Sequence, residues 1–175
     1  SLVTPTNLGS GAQAAGGGAI MLDVRGSVRH DGLLAADGTT ISCAGSGGSV
    51  WLTCGAISGA GMIRADGGSN ATYSGGGGRI ALAVTNAGAD FSMFAGVFFA
   101  RGWGAPPYGR IAGGAGTVYL RTADRGIDEG TLIVDNGSLA AVGHTEINSD
   151  VTGCAVGDVI VRNKGVLVLF TNQSL

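Results

Sequence analysis

The residues with the plainest chemical capacity in this chain are three aspartates, Asp37, Asp66 and Asp135, each closing an apolar hexapeptide and each followed by Gly or Asn-Gly. Carboxylates that recur at one corner of a repeated unit are the oxygen donors Ca²⁺ takes. Aspartate before glycine is also the ordinary chemistry of turns that need positive φ, and that is the simpler reading. His30 and His144 lie far apart in sequence, and no Cys-x-x-Cys occurs, so the spacing of a zinc site is missing. The sequence therefore predicts no metal and no other cofactor.

Cleavage of a glycan needs convergent carboxylates or a carboxylate beside a strong base. Asp128-Glu129 is the one adjacent acidic pair, and it stands in a turn just before an apolar segment. Asp23, Arg25, Thr53 and Arg121 form an outward polar strip, but no catalytic residue is expected among them. Cys54 occupies an inward column, where a small thiol packs; a Cys43–Cys54 bridge is the alternative, and Cys154 would then be left for an intermolecular bond. Trp51 and Tyr119 recur on the outward side of two strands, and Trp103 and Tyr108 sit in an insertion that includes Pro106-Pro107. Such a strip stacks on sugar rings or anchors a protein partner unless a later segment folds over it.

The elements that position these residues are repeats. Gly17-Gly18-Ala19-Ile20-Met21-Leu22 returns as Gly47-Gly48-Ser49-Val50-Trp51-Leu52, as Gly77-Gly78-Arg79-Ile80-Ala81-Leu82 and as Ala115-Gly116-Thr117-Val118-Tyr119-Leu120. A second series keeps step with it: Gly32 to Asp37, Gly61 to Asp66, Gly96 to Arg101 and Gly130 to Asp135. Within each copy apolar residues alternate, the pattern of a strand with one buried face. Aligning the copies gives two inward ladders, Ile20, Val50, Ile80, Val118 and Leu22, Leu52, Leu82, Leu120. Fixed-period self-similarity of this kind predicts an all-β fold, a right-handed parallel β-helix (β-solenoid) of about four to five coils. Residues 1–16 would be an N-terminal arm or lead-in strand, 17–137 the glycine-rich coils, and 138–175 an irregular C-terminal coil, cap or assembly strand. A glycine two residues ahead of each strand is read as a tight corner, so that Gly18→Val should harm folding.

Composition narrows the partners. The chain holds 35 glycines in 175 residues, is 45% hydrophobic and 13% charged, and carries a formal net charge of −2. That apolar content argues for an ordered chain rather than a disordered one. A near-neutral balance with no basic run gives no reason to expect nucleic acid. No apolar run is long enough for a membrane-spanning helix, so no membrane insertion is expected. With no basic leader at its start, the chain reads as a mature product or an internal fragment.

The run from Gly16 to Ile20, through Gly47 to Thr53, Ile57 to Ile63 and Gly75 to Leu82, and on through Gly113 to Leu120 and Leu132 to Asn136, resembles the glycine-rich β-helix repeats of large bacterial secreted and surface proteins of adhesin or autotransporter-passenger type. The resemblance implies an extracellular or cell-surface location and a non-enzymatic role, as an adhesin stalk or a self-assembling filament subunit. It carries no catalytic residues. The expected partner is the chain itself or neighbouring repeats of a longer polypeptide, with surface glycans as a further ligand. For head-to-tail assembly the polar arm at 1–16 would meet the apolar strand Val166, Leu167, Val168, Leu169 and Phe170. The alternatives are a carbohydrate-binding module on Trp51, Tyr119, Trp103 and Tyr108, and a polysaccharide lyase or hydrolase using Asp128 and Glu129.

Overall fold

The computed structural model describes the chain except residues 12, 42, 70–72, 104–112, 141, 148–150, 152–154 and 171–175. Eleven strands form in the described residues, and no helix. They are β1 (Ala19–Arg29), β2 (Leu33–Ala35), β3 (Ser49–Ser58), β4 (Met62–Arg64), β5 (Arg79–Val84), β6 (Val97–Phe99), β7 (Thr117–Arg121), β8 (Thr131–Asp135), β9 (Thr145–Ile147), β10 (Asp158–Arg162) and β11 (Leu167–Leu169).

The two ladders read from the sequence form in register. β1, β3, β5 and β7 pair parallel, with Ile20, Val50, Ile80 and Val118 as successive partners and Leu22, Leu52, Leu82 and Leu120 beside them. β2, β4 and β6 make a second parallel sheet, with Leu34, Ile63 and Phe98 in one row. The inward faces of the two sheets meet in one core that includes Val50, Leu52, Ile63, Ile80, Leu82 and Val84, each at most 1% exposed. Burying a side chain of this size contributes about 1.5–3 kcal/mol.

The expected parallel β-helix of about four to five coils is not what the chain builds. The fourth copy of the second series, β8, does not stack on β6. It turns back and pairs antiparallel with β7, matching Val118 with Ile133 and Tyr119 with Leu132. β10 then pairs parallel with β8, so the main sheet is mixed, with six strands in the order β1-β3-β5-β7-β8-β10. The cause lies in residues 122–130, whose side chains hold a compact local turn. Thr122 Oγ1 donates to Asp124 at 2.5 Å, the Gly126 N–H donates to Glu129 Oε2 at 2.7 Å, and the Glu129 N–H returns to the Gly126 carbonyl at 3.1 Å.

Reversal also changes which side of β8 is inward. Ile133 packs against the first core, while Leu132 joins Leu2 and Ile147 in a second cluster, with Val151, Val156 and Leu167 packed around it. The two-stranded parallel sheet β9–β11 supplies Ile147 and Leu167 to that cluster. Leu2 brings the expected N-terminal arm into it.

The glycine column has a different basis from the expected one. None of Gly18, Gly48, Gly78 and Gly116 has positive φ; among the described glycines that feature belongs to Gly59, Gly88 and Gly137. What the column meets is stacked backbone: a Cβ on Gly48 would lie 1.9 Å from the Gly18 carbonyl oxygen, and one on Gly78 would lie 2.1 Å from that of Gly48. Gly18, in the outermost strand layer, would meet nothing within 4 Å, so it is the tolerant member of the column rather than a demanding one.

Candidate functional site: strand edges and the aspartate corner

The outward aromatic column is largely covered. Ala81 is 1% exposed, Tyr119 is 2% exposed, and Trp51 is half-buried. Tyr119 is the pin of the β7–β8 reversal: its hydroxyl donates to the Ile127 carbonyl at 2.5 Å and accepts from the Gly130 N–H at 3.0 Å. Burial pushes the phenol above its ordinary pKa, against the lowering effect of the Gly130 N–H. Tyr119 is thus a structural residue and not a free contact. Trp103 keeps 37% exposure, and Tyr108 lies outside the described residues.

The expected assembly strand is already used within the molecule. Leu167, Val168 and Leu169 pair with Thr145, Glu146 and Ile147, while Val166, Leu169 and Phe170 keep exposed side chains. The arm is committed too: the Gly9 N–H donates to the Gly17 carbonyl, and the Ser49 hydroxyl donates to the Asn7 carbonyl at 2.6 Å.

Stacking places the recurring aspartates beside arginines rather than beside one another's carboxylates. Asp37 Oδ2 pairs with Arg64 at 2.6 Å, and its other oxygen accepts the Asp66 N–H at 2.9 Å. One turn on, Asp66 repeats the motif with Arg101, at 2.6 Å to the guanidinium and 2.7 Å to the backbone N–H. The next layer replaces the carboxylate by Asn136, fully buried, whose Oδ1 accepts the Gly102 N–H at 2.9 Å. Arg101 also lies over the Phe99 ring at 4.0 Å and within 6.0 Å of Trp103.

Asp135 pairs with Arg162 at 2.6 Å. Burial alone would raise its carboxyl pKa, but the Gly137 N–H, Arg162 and Asn163 outweigh that, and the net position is below the usual value. Spent in this way, these corners offer no shared oxygen cage, and among the described residues no group of three or more His, Cys, Asp or Glu could hold a metal ion.

The remaining polar candidates are dispersed. His30 is buried, its Nε2 3.0 Å from the Met62 carbonyl and its ring stacked on Phe94. His144 pairs with Glu146 at 3.0 Å on the far side of the main sheet. Glu129 spends an oxygen on its own turn. Cys43 and Cys54 are both free thiols, so the alternative of a bridge between them is not realised. Cys54, 1% exposed, packs in the first core in register with Val24 and Val84, as its column predicted. Cys154 lies outside the described residues.

What the molecule does leave unsatisfied is strand edge. β1 is the outer strand of the main sheet and β2 that of the second sheet, and both stand in the same outermost layer. β1 has 11 residues and pairs on one side only, with a register shift between Val24 and Ser27. Met21 is 61% exposed, Leu22 37% and Leu33 55%. An unpaired edge presents free backbone N–H and C=O groups to another strand, and charges along it restrict which strand can pair. One signal of this edge was present in the sequence. The first copy carries charged Asp23 where the later copies carry Thr53 and Ala83, and Arg25 follows it two residues on.

Compared with protein-family models, with curated proteins and with solved structures, the chain gives no match.

Proposed function

We propose that this chain is an extracellular structural module that joins a second copy of itself through the β1/β2 end. The carrying observation is that two sheets present unpaired outer strands in one layer, with Met21, Leu22 and Leu33 exposed along them. The charge pattern fits a second copy. Asp23 and Arg25 flank Val24 on β1. An antiparallel β1–β1 contact with its two-fold axis at Val24 sets Asp23 of each copy opposite Arg25 of the other, an isologous and self-complementary arrangement.

Strand counts favour this geometry over head-to-tail stacking. The main sheet runs on through β8 and β10 after the layer at which the second sheet ends with β6. A simple translation along the stack therefore cannot join both edges at once, whereas a two-fold axis joins β1 to β1 and β2 to β2 together. The extracellular setting is supported by the likeness of the glycine-rich repeats to those of bacterial surface proteins. Sedimentation over a concentration series tests the reading. The wild-type chain should approach dimer mass, and Met21→Lys with Leu33→Lys should return it to monomer. A wild type that stays monomeric at millimolar concentration refutes self-association through this end.

A second reading, glycan binding without turnover, draws on Trp103. Its exposed ring borders a groove of about 160 Å³ that is also lined by Asp37, Arg64 and Asp66. An aromatic platform beside hydrogen-bonding groups is the ordinary way to hold a sugar ring. Loss of glycan-array signal in Trp103→Ala would support it, and an unchanged signal would exclude this groove.

A further inference from the structure

On the face of the main sheet away from the first core, Ser49, Arg79 and Thr117 occupy one row across β3, β5 and β7. The three positions are treated differently. Ser49 is satisfied by the Asn7 carbonyl, whereas Thr117 is 4% exposed and its Oγ1 has no hydrogen-bond partner among the described residues. Arg79 is half-buried between them; its backbone N–H donates to the Gly48 carbonyl, and its guanidinium makes no ion pair or hydrogen bond within the described residues. Thr117 and Arg79 both line a cleft of about 240 Å³ that His144, Glu146, Leu2 and Asn7 also line.

Buried hydroxyls are nearly always paired, so an orphan one in the lining of a cleft, beside a guanidinium without a partner, calls for a ligand group. The geometry points to a sugar acid, one uronate ring, as that ligand. Its carboxylate suits the Arg79 guanidinium, which binds such groups through two parallel N–H donors. Ring hydroxyls suit Thr117 and the Glu146 carboxylate, whose second partner, His144, holds it at 3.0 Å. A phosphate is the poorer fit, because it has no neutral ring hydroxyls to set against Thr117 and Glu146 while its charge sits on Arg79. The volume is below the range of drug-sized pockets and matches a single ring. This site is separate from the Trp103 groove and does not rest on the dimer.

Amide chemical shifts of the ¹⁵N-labelled chain, titrated with glucuronate, galacturonate, glucose and inorganic phosphate, test the assignment. Uronates should move the Gly77, Gly78, Gly116 and Thr145 amides, with glucose and phosphate binding at least about tenfold more weakly. A short oligouronide distinguishes a free acid from a chain end: equal affinity per ring favours the monosaccharide, tighter binding the polymer. Arg79→Gln should weaken uronate binding about 10- to 100-fold, and the isosteric Thr117→Val should weaken it several-fold. The proposal is overturned if uronates cause no shifts at millimolar concentration, if the shifts fall elsewhere, or if both variants bind as the wild type does. In the first case Thr117→Val would raise the melting temperature, showing the hydroxyl to be an unrelieved cost.

Discussion

Tyr119→Phe isolates the interaction that sends β8 back along β7. Phenylalanine keeps the ring in its 2% exposed site and removes only the hydroxyl. Two hydrogen bonds go with it. The Ile127 carbonyl belongs to a residue 59% exposed, so water replaces its partner at little cost. Gly130 is buried, and its N–H would be left without the 3.0 Å acceptor. An unsatisfied buried donor costs about 1–3 kcal/mol, a roughly 5- to 150-fold shift toward the unfolded state. Urea unfolding followed by circular dichroism should show a lower midpoint at unchanged slope.

The wild-type phenol should also titrate late. Because its folded pKa is raised, its contribution to stability is complete below the unfolded value of about 10 and is lost as pH rises through the folded value. Tyr119→Phe should therefore lose part of the steep alkaline limb. A stability change within about 0.5 kcal/mol, together with Tyr119 titrating at the ordinary value, would mean that Tyr119 is exposed and that the reversal is not pinned as described.

The other outcomes concern the stack, the acid limb and the thiols. Gly78→Ala forces a Cβ to within 2.1 Å of the Gly48 carbonyl oxygen and should cost at least about 1–3 kcal/mol, whereas Gly18→Ala, facing open space, should be nearly neutral in denaturant unfolding. Asp135, whose folded pKa is lowered, stabilises the chain above the unfolded carboxylate value of about 4 and loses that contribution as pH falls through the folded value. Wild type and Asp135→Asn should accordingly converge in stability on acidification. Burial raises the Cys54 thiol pKa, so an alkylating reagent should modify Cys43 first and reach Cys54 only on unfolding; equal rates would contradict its place in the core.

The parallel half of the fold was legible because its information is local. Alternating apolar residues at matching points of each copy fix both the inward face and the register, and the Ile20 and Leu22 ladders followed directly. Strand direction is not written in the same way. Gly130-Thr131-Leu132-Ile133-Val134-Asp135 looks like its predecessors whichever way it runs, and the deciding groups are one phenol and a few turn hydrogen bonds between residues that resemble nothing earlier in the chain. The aromatic strip misled for a related reason. Alternation says that Tyr119 faces away from the first core, but its ring is covered by the turn that follows, where it lies against Gly130 and its hydroxyl meets the Ile127 carbonyl and the Gly130 N–H. The aspartate corners were visible as repeated residues, while their arginine partners lie 27 and 35 residues on and become neighbours only once the copies stack.

The β1 edge is best tested by reversing its charges. Asp23→Arg and Arg25→Asp, each alone, would replace two symmetric attractions in the proposed dimer by two repulsions, weakening association by about 5- to 100-fold, while the double swap restores both pairs. Analytical ultracentrifugation of the four proteins at low ionic strength gives the dissociation constants directly. A dimeric wild type, two weakened single variants and a recovered double variant are the predicted result. A monomeric wild type, or a double variant as weak as the singles, would contradict pairing through β1.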